Sequence, residues 1–236
     1  MTEITHGLKR LVDLIEANGE MTMSMVAEFV KTADIREEEL MPYADFDHPK
    51  EDGYGRQMVI QGDHYEIMVM SWNPGDFSAV HDHGYTSWGA VQVFGPVLHH
   101  TFAIKKEEFI LTKKEILVTG SIVKVNNPLI HQMGNVTSTP FLTLHVYGDN
   151  ECTGKVTADA RIYAVETGLI KHTTGGAFFN LPANRIDDEE PMPEIDYQTF
   201  VLQASILMQY YQRYPQEQME ILSKTLADKF AYPVGN

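Results

Sequence analysis

Three stretches of the chain differ in the spacing of their apolar residues. Near the N-terminus, apolar residues recur every three or four positions, which predicts one helix over residues 7–18 and a second over about 22–32. From Tyr54 to about Gly175, short β-branched and aromatic runs alternate with turn residues, as in an antiparallel sandwich or barrel. Eight strands are predicted, over residues 56–60, 65–72, 88–94, 97–104, 107–113, 121–125, 141–147 and 160–166.

The C-terminal part changes character again. Residues 181–196 are rich in proline and acidic groups, which predicts an extended linker on the surface. Helical spacing then resumes in one helix from Tyr197 and in another that begins at Pro215. These helices are expected to pack on the barrel or to pair between protomers. The predicted organisation is therefore N-terminal helices packed on the barrel over 1–40, a β-barrel over 41–180, and an acidic linker with C-terminal helices over 181–236.

Composition narrows the function classes. The 236 residues are 43% hydrophobic, enough for a sizeable core, and the single cysteine, Cys152, excludes an intrachain disulfide. Lys and Arg number 18 against 33 Asp and Glu, a formal charge of −15 without any basic cluster, which argues against nucleic acid and anionic membranes as partners. No apolar run has the roughly 18 residues of a membrane span. A cytoplasmic small-molecule enzyme or binding protein is expected.

Two histidines separated by one residue, His81 and His83, lie in the run GDFSAVHDHG. Positions i and i+2 of a strand share a face, so both imidazoles can bind one ion while Asp82 points away. His131 is the third candidate ligand, because a few intervening strands can return it beside the pair. The His99–His100 pair is set aside, since adjacent strand residues face opposite ways and cannot chelate one ion together.

Spaced glycines and an asparagine complete the pattern. Gly75 stands six residues before the first histidine of the pair, Gly95 stands twelve after the second, and His131 begins an HxxxN segment that ends at Asn135. This resembles the cupin superfamily, whose motifs read G-x5-HxH-x3,4-E-x6-G and HxxxN. The resemblance implies a mainly β fold, a cupin-type double-stranded β-barrel (jelly roll), with N-terminal and C-terminal helical extensions.

The glutamate of the cupin motif is replaced by Trp88, which leaves three histidines as ligands. Three neutral imidazoles leave the ion its full charge, and the open positions suit an anionic substrate and oxygen. This departure resembles the cysteine dioxygenase, or thiol dioxygenase, branch of cupins, whose iron is held by three histidines. The resemblance implies that His81, His83 and His131 bind Fe(II).

Further segments resemble the same branch. The run YGRQMV matches the YxRxxV segment whose arginine grips the substrate carboxylate, which implies substrate-binding roles for Arg56 and Tyr54. The run TLHVY is similar to a Ser-x-His-x-Tyr run whose tyrosine hydroxyl faces the iron. It implies catalytic roles for Tyr147, His145 and Thr143, which strand alternation puts on one face.

The aromatic positions carry separate expectations. Trp88 also occupies the position of the cysteine that the mammalian enzymes link to the active-site tyrosine, so that thioether cannot form as it does there. We assign Trp88 as a substrate-binding pocket wall, because its bulk would narrow or reshape the pocket. Trp72, nine residues before His81 as in the family, is expected to lie in the core. Cys152 is interpreted as an inert loop thiol.

The resemblance implies a non-haem Fe(II) thiol dioxygenase that oxidises cysteine or a related small thiol carboxylate to its sulfinate with O2. Two alternatives stay open: a dioxygenase of a mercapto acid or larger thiol, and a metal-binding cupin without catalysis. Imidazole also suits zinc and nickel, so either metal can occupy the site in a purified sample. The expected partners are the small thiol and O2, and the chain is expected to be a monomer or a homodimer through its terminal helices.

Overall fold

The computed structural model describes residues 4–151, 153–213, 220, 223, 224 and 226–228. Its helices flank a β-rich region. They are α1 (His6–Glu16), α2 (Met23–Ala33), α3 (Glu37–Leu40) and α4 (Tyr197–Arg213), with 3₁₀ turns at Met41–Tyr43, Lys50–Asp52 and Ala183–Arg185. The strands are β1 (Gly55–Gln61), β2 (Tyr65–Trp72), β3 (Trp88–Val93), β4 (Val97–Lys105), β5 (Glu108–Leu117), β6 (Ile122–Val125), β7 (Ile130–Gly134), β8 (Phe141–Gly148), β9 (Ala160–Ala164), β10 (Leu169–Thr173), β11 (Ile186–Pro191) and β12 (Glu194–Ile195).

Two curled sheets form the barrel. The first has the order β1-β2-β8-β3-β6 with antiparallel neighbours. The second is assembled from the parts β12-β5-β4-β7 and β11-β10-β9, in which β12 and β5 run parallel. The segment 77–81 connects these parts, because His81 pairs with His131 of β7 and with Ile162 of β9. The fold is therefore mainly β and of the cupin type, and His81 lies at the junction within the second sheet.

The first sheet separates two cores. Alternate residues of β2 face opposite ways, so Met68 and Met70 pack inside the barrel while Ile67 and Val69 face the N-terminal helices. Helix α1 contributes an apolar stripe to the outer core, and α2 covers the same sheet beside it. The buried residues of these two helices are Gly7, Leu8, Leu11, Ile15, Val26, Val30 and Ala33. Because these apolar residues face one core, they recur every three or four positions, which is the spacing that predicted the two helices.

The eight predicted strands each coincide with an observed strand, and α1 and α2 lie where helices were predicted. Residues 181–196 are mostly exposed, as predicted, but they are not an unpaired linker, because the segment holds a 3₁₀ turn and strands β11 and β12. Strand β11 forms by pairing with β10, where Lys171 stands opposite Glu189 and His172 opposite Asp188. Strands β7 and β10 were not predicted.

The remaining C-terminal expectations have different outcomes. Most of the helix predicted from Pro215, like Cys152, lies outside the described residues. Leu226 is described and is buried against residues of α4. The domain boundaries at residues 40 and 180 stay predictions. Among the described residues, no helix has both the length and the apolar character needed to cross a membrane.

Candidate metal centre

Three histidines meet inside the barrel. His81 ends the connecting segment 77–81, His83 follows two residues later, and His131 lies on β7. The backbone holds the first and third together, since His81 and His131 each donate an N–H to the other's carbonyl at 2.9 Å. One possible ligand atom from each of the three lies within 4.8 Å of the others. The structure therefore brings together the three predicted metal ligands.

The ring nitrogens of these histidines are oriented for binding. His81 donates its Nδ1–H to the Ala79 carbonyl at 2.9 Å, which leaves the Nε2 lone pair available. Nδ1 of His131 lies 3.0 Å from Nε2 of His99. Nε2 of His83 and Nε2 of His131 are buried and have no hydrogen-bond partner among the described residues. Buried polar atoms are nearly always satisfied, so these orphaned nitrogens fit a bound metal ion.

Burial also sets the charge state of the ligands. It is the largest cause that lowers the pKa of His83 and of His131 well below 6.5, and neighbouring histidines lower both further. Burial lowers the pKa of His81 in the same direction. Neutral imidazole is the form that binds metal, because protonation occupies the donor lone pair. The cluster therefore favours a cation in its centre over protons on its rings.

Two buried carboxylates, Asp82 between the two histidines in sequence and Glu66 on β2, bind other groups. Asp82 accepts from the Arg161 backbone N–H at 2.8 Å and from Arg161 Nε at 2.6 Å, and it is not one of the clustered ligand residues. Glu66, on β2, accepts from Thr157 Oγ1 at 2.7 Å. These hydrogen bonds attach Thr157 and Arg161, which follow β8 in the chain, to Glu66 and Asp82 of the barrel. The ligand set of the described residues is consequently neutral, as the sequence predicted.

A chain of hydrogen bonds runs along β8. Trp72 Nε1 donates to Thr143 Oγ1 at 2.9 Å, Thr143 Oγ1 lies 2.7 Å from His145 Nε2, and His145 Nδ1 lies 2.6 Å from the Tyr147 hydroxyl. Trp72 can only donate, and His145 is the other observed partner of the Thr143 hydroxyl. With the Nδ1–H tautomer of His145, Thr143 donates to Nε2 of His145 and the Nδ1–H of His145 donates to Tyr147. This direction leaves the Tyr147 hydroxyl hydrogen free.

The protonation of the chain agrees with that direction. Burial lowers the pKa of His145 to about 3, with further contributions from His81 and Arg56, so the ring is neutral near pH 7. Burial also raises the pKa of Tyr147 above its usual value, which keeps the phenol protonated. The Tyr147 and His83 rings lie 5.4 Å apart between centroids. A hydrogen-bond donor is therefore held beside the cluster.

One cavity of about 30 Å³ connects these groups. Its lining includes Arg56, Tyr54, His81, His83 and Tyr147. Nη2 of Arg56 is buried and has no hydrogen-bond partner among the described residues. The hydroxyl of Tyr54 accepts from the Ala177 N–H at 3.2 Å, and the Tyr54 ring stacks on Trp72 at 4.9 Å. The cavity thus brings the unpaired Nη2 of Arg56 together with two of the three clustered histidines.

A sequence model of the family described as "Cysteine dioxygenase type I" matches residues 2–150. The chain belongs to this family. The match includes the three histidines, Arg56, Tyr54 and the hydrogen-bond chain of β8. Cysteine dioxygenase-type cupins bind a metal through a three-histidine site, and His81, His83 and His131 form such a site here.

Several solved structures are similar to the barrel. A Thermus thermophilus protein is 19% identical, covering 49% of this chain and 97% of its own, with a TM-score of 0.39. A Klebsiella pneumoniae protein with a double-stranded β-helix domain is 17% identical, covering 48% and 89%, with a TM-score of 0.37. A cupin domain from Bordetella pertussis is 15% identical, covering 43% and 99%, with a TM-score of 0.32.

The assignment of Trp88 as a pocket wall is wrong. Trp88 is buried in the outer core under the N-terminal helices, and its Nε1 donates to Asn150 Oδ1 at 3.0 Å. Gly89 is the residue directly opposite Tyr147. Because neighbouring strand residues face opposite ways, this shift of one residue moves the indole out of the barrel. Within this cysteine dioxygenase family chain, the position beside the tyrosine carries no side chain that could form a thioether.

Sequence reasoning also missed His99. It faces away from His100, as predicted, yet it contacts a metal ligand without being one itself. Its Nδ1 lies 3.2 Å from Glu115 Oε1. No local motif marks this contact, because it depends on the register between β4 and β7. Only the alternation of β4, which separates the two histidines, was available as a signal.

Proposed function

We propose that this protein is a non-haem Fe(II) dioxygenase that oxidises cysteine or a related small thiol carboxylate to its sulfinate. The reaction adds both atoms of O2 to the thiolate sulfur, so it balances without an external reductant. The observation that carries the proposal is one cavity lined by two of the three clustered histidines, His81 and His83, by Arg56 and by Tyr147. Family membership supports the same reaction class.

Iron is the proposed metal, and His81, His83 and His131 would hold it. Bound Fe(II) would supply open coordination positions and the redox chemistry that allows O2 to react with a thiolate. Zinc or nickel in a purified sample stays a prediction of the same ligand set. The rest of the site consists of protein groups that bind and orient the substrate.

Arg56 is proposed to bind the substrate carboxylate. A guanidinium group offers two parallel N–H donors, which match a carboxylate better than the single ammonium group of lysine does. The unpaired Nη2 supports this role, since a buried cationic donor without an acceptor is costly until a ligand supplies one. Tyr54 is proposed to form the wall beside it, held by Ala177.

Tyr147 is proposed to donate a hydrogen bond to the oxygen atoms that are transferred to sulfur. His145 and Thr143 would act through Tyr147, because the chain of donors ending at its oxygen directs its hydrogen away from the strand. A donor fixed before reaction requires no reorganisation when negative charge develops on oxygen. This gives the three residues of β8 a shared catalytic purpose.

Trp88 does not line the cavity, so it does not set the size of the substrate. The bulk of this tryptophan is therefore no argument for an unusual thiol. A small mercapto acid would use Arg56 as cysteine does, so it remains the second candidate substrate. Cytoplasmic location and a monomeric or dimeric state stay predictions.

Oxygen consumption by Fe(II)-loaded protein tests the proposal. The panel should contain cysteine, a mercapto acid without the amine, an aminothiol without the carboxylate, and a larger thiol. We expect one O2 consumed per thiol and a product heavier by two oxygen atoms for cysteine or the mercapto acid. Stoichiometric iron without O2 uptake on any thiol would instead identify a metal-binding protein without catalysis. A His131→Ala variant is the control for free iron.

A further inference from the structure

We propose that His99 is a positioning residue that holds the third metal ligand, His131, in the orientation for metal binding, with Glu115 anchoring His99 from the protein surface. The chain of contacts runs from Glu115 Oε1 to His99 Nδ1 at 3.2 Å and from His99 Nε2 to His131 Nδ1 at 3.0 Å. The inference rests on the proposed metal site. It assigns a role to two residues outside the ligands and the cavity lining.

Strand register explains how these residues meet. His99 lies directly opposite Glu115 on β5 and opposite Met133 on β7, while His131 is opposite Thr101. Residues directly opposite each other share a face of the sheet, and diagonal neighbours on that face lie within reach of long side chains. His99 and His131 are such a diagonal pair. The contact therefore follows from the fold and not from a chance rotamer.

Donor chemistry fixes the direction of the chain. An ionised carboxylate only accepts, so His99 donates its Nδ1–H to Glu115. Nε2 of the neutral His99 ring then accepts from Nδ1–H of His131. This assignment leaves a lone pair on Nε2 of His131, which is the buried nitrogen without a partner among the described residues. The tautomer that binds metal is thus selected by the contact behind the ligand.

The three ligands differ in what holds them, and Nδ1 of His83 has no hydrogen-bond partner among the described residues. His81 donates to a backbone carbonyl, at Ala79, which side-chain substitution does not remove. His131 depends on a side chain, and both it and His99 are almost completely buried, at 1% and 3% exposure. Glu115 is partly exposed and also pairs with Lys113 Nζ at 2.7 Å. The support of His131 is therefore the one that substitution can remove selectively.

Substitutions at His99 separate positioning from packing. His99→Leu fills the buried space with an apolar side chain but removes the nitrogen that accepts the hydrogen bond from His131. His99→Gln places an amide oxygen near the position of Nε2, so it restores an acceptor. His100 is the matched control: it is adjacent on β4, equally buried, faces the other way and contacts Gln132 at 3.3 Å. His100→Leu therefore tests whether any lost histidine on this strand has the same effect.

Metal affinity of the full chain is the measurement, with Zn(II) in competition with a chelator and Co(II) absorption as a readout of ligand geometry. We expect His99→Leu to weaken Zn(II) binding by about 10- to 100-fold, the scale seen when such supporting contacts are lost. His99→Gln should recover most of that loss, and His100→Leu should bind as the wild type does. The Co(II) spectrum should change in His99→Leu alone.

Other outcomes overturn the inference. It is wrong if His99→Leu binds Zn(II) as the wild type does, or if His100→Leu weakens binding equally. If His99→Leu does not fold, Glu115→Leu decides, since it releases the anchor at a partly exposed position: weaker binding supports the inference, and unchanged binding refutes it. A wild type that binds no metal refutes both this inference and the proposed function. A wild type that binds metal but oxidises no thiol refutes the proposed function alone.

Discussion

Gly89 and Tyr147 face each other across neighbouring strands, and the aromatic ring occupies the space where a side chain at position 89 would lie. A Cβ atom at Gly89 would be 2.9 Å from Tyr147 Cδ1 and 2.9 Å from the Val146 carbonyl oxygen. The absence of a side chain here lets the phenol lie against β3. The position of the catalytic candidate thus depends on a residue that has no functional group.

Substitution of Gly89 by alanine should therefore displace Tyr147. We expect Gly89→Ala to lower the free energy of unfolding by about 1–3 kcal/mol, the usual effect of overpacking a core, and to reduce turnover with unchanged metal content. Urea unfolding and O2 uptake measure the two effects. Gly19→Ala is the control, since a Cβ atom there meets nothing within 4 Å. Wild-type stability and turnover in Gly89→Ala would contradict this account.

Removal of the Tyr147 hydroxyl should affect chemistry more than structure. Tyr147→Phe should retain its metal and lose turnover by roughly ten- to a thousandfold, as expected for one hydrogen bond made mainly in the transition state. Tyr65→Phe provides a matched control, because Tyr65 packs under the N-terminal helices and donates to Glu16 at 2.9 Å. Full turnover in Tyr147→Phe would exclude the proposed role of the Thr143–His145 chain.

Local periodicity accounts for what the sequence could predict. Thr143, His145 and Tyr147 lie two residues apart on β8, so strand alternation alone places them on one face. His81 and His83 have the same spacing, but the strand expected around them is absent: His81 forms only isolated bridges and His83 lies outside the strands. Eight strands were recognisable because each combines β-branched or aromatic residues with flanking turn signals. In such runs the local pattern and the tertiary structure agree.

The features that were missed depend on pairing between distant segments. Strand β11 is acidic and exposed, and it forms because β10 supplies Lys171 and backbone partners. The error at Trp88 is one of register: a single-residue offset in the assignment reverses inside and outside. His99 reaches His131 only through the pairing of β4 with β7. None of these relationships is encoded in a short window of sequence.

Arg56 should act on substrates that carry a carboxylate. Arg56→Lys should raise KM strongly and Arg56→Ala should nearly abolish turnover, since loss of a bidentate charged contact costs roughly 2–4 kcal/mol. An aminothiol without a carboxylate makes the test specific, because its already weak oxidation should change little in either variant. Steady-state kinetics on both substrate types measure the difference. Equal losses on both types would indicate that Arg56 supports the fold instead.

Trp88 should affect stability and leave thiol preference unchanged. Trp88→Phe removes the hydrogen bond from the indole to Asn150, whose side-chain amide also bonds the backbone N–H and carbonyl of Met21. The smaller ring also packs less closely against Gly148. We expect a loss of about 1–3 kcal/mol in the free energy of unfolding. The ratio of kcat/KM between two thiols should equal that of the wild type. A change in this ratio of kcat/KM would show that Trp88 influences the substrate pocket.

The stability of the apoprotein should decrease with acid, and His145 should account for about one proton of that dependence. Its pKa is about 3 in the folded chain, against 6.5 for the free group. Between these values the unfolded chain binds one more proton, so the contribution is complete above pH 6.5 and is lost progressively as the pH falls toward 3. In His145→Gln, the slope of unfolding free energy against pH should fall by about 1.4 kcal/mol per pH unit.

Urea unfolding in the presence of a chelator, repeated across this pH range, measures the slope. His172→Gln is an informative control, because its hydrogen bond to Asp159 raises the pKa of His172. A raised pKa stabilises the fold below the unfolded value and is lost as the pH rises, so this variant should change the slope only above about pH 6.5. An unchanged acid slope in His145→Gln would mean that His145 is not held neutral. A protonated ring donates from both nitrogens, so it could not accept from Thr143 as the proposed direction requires.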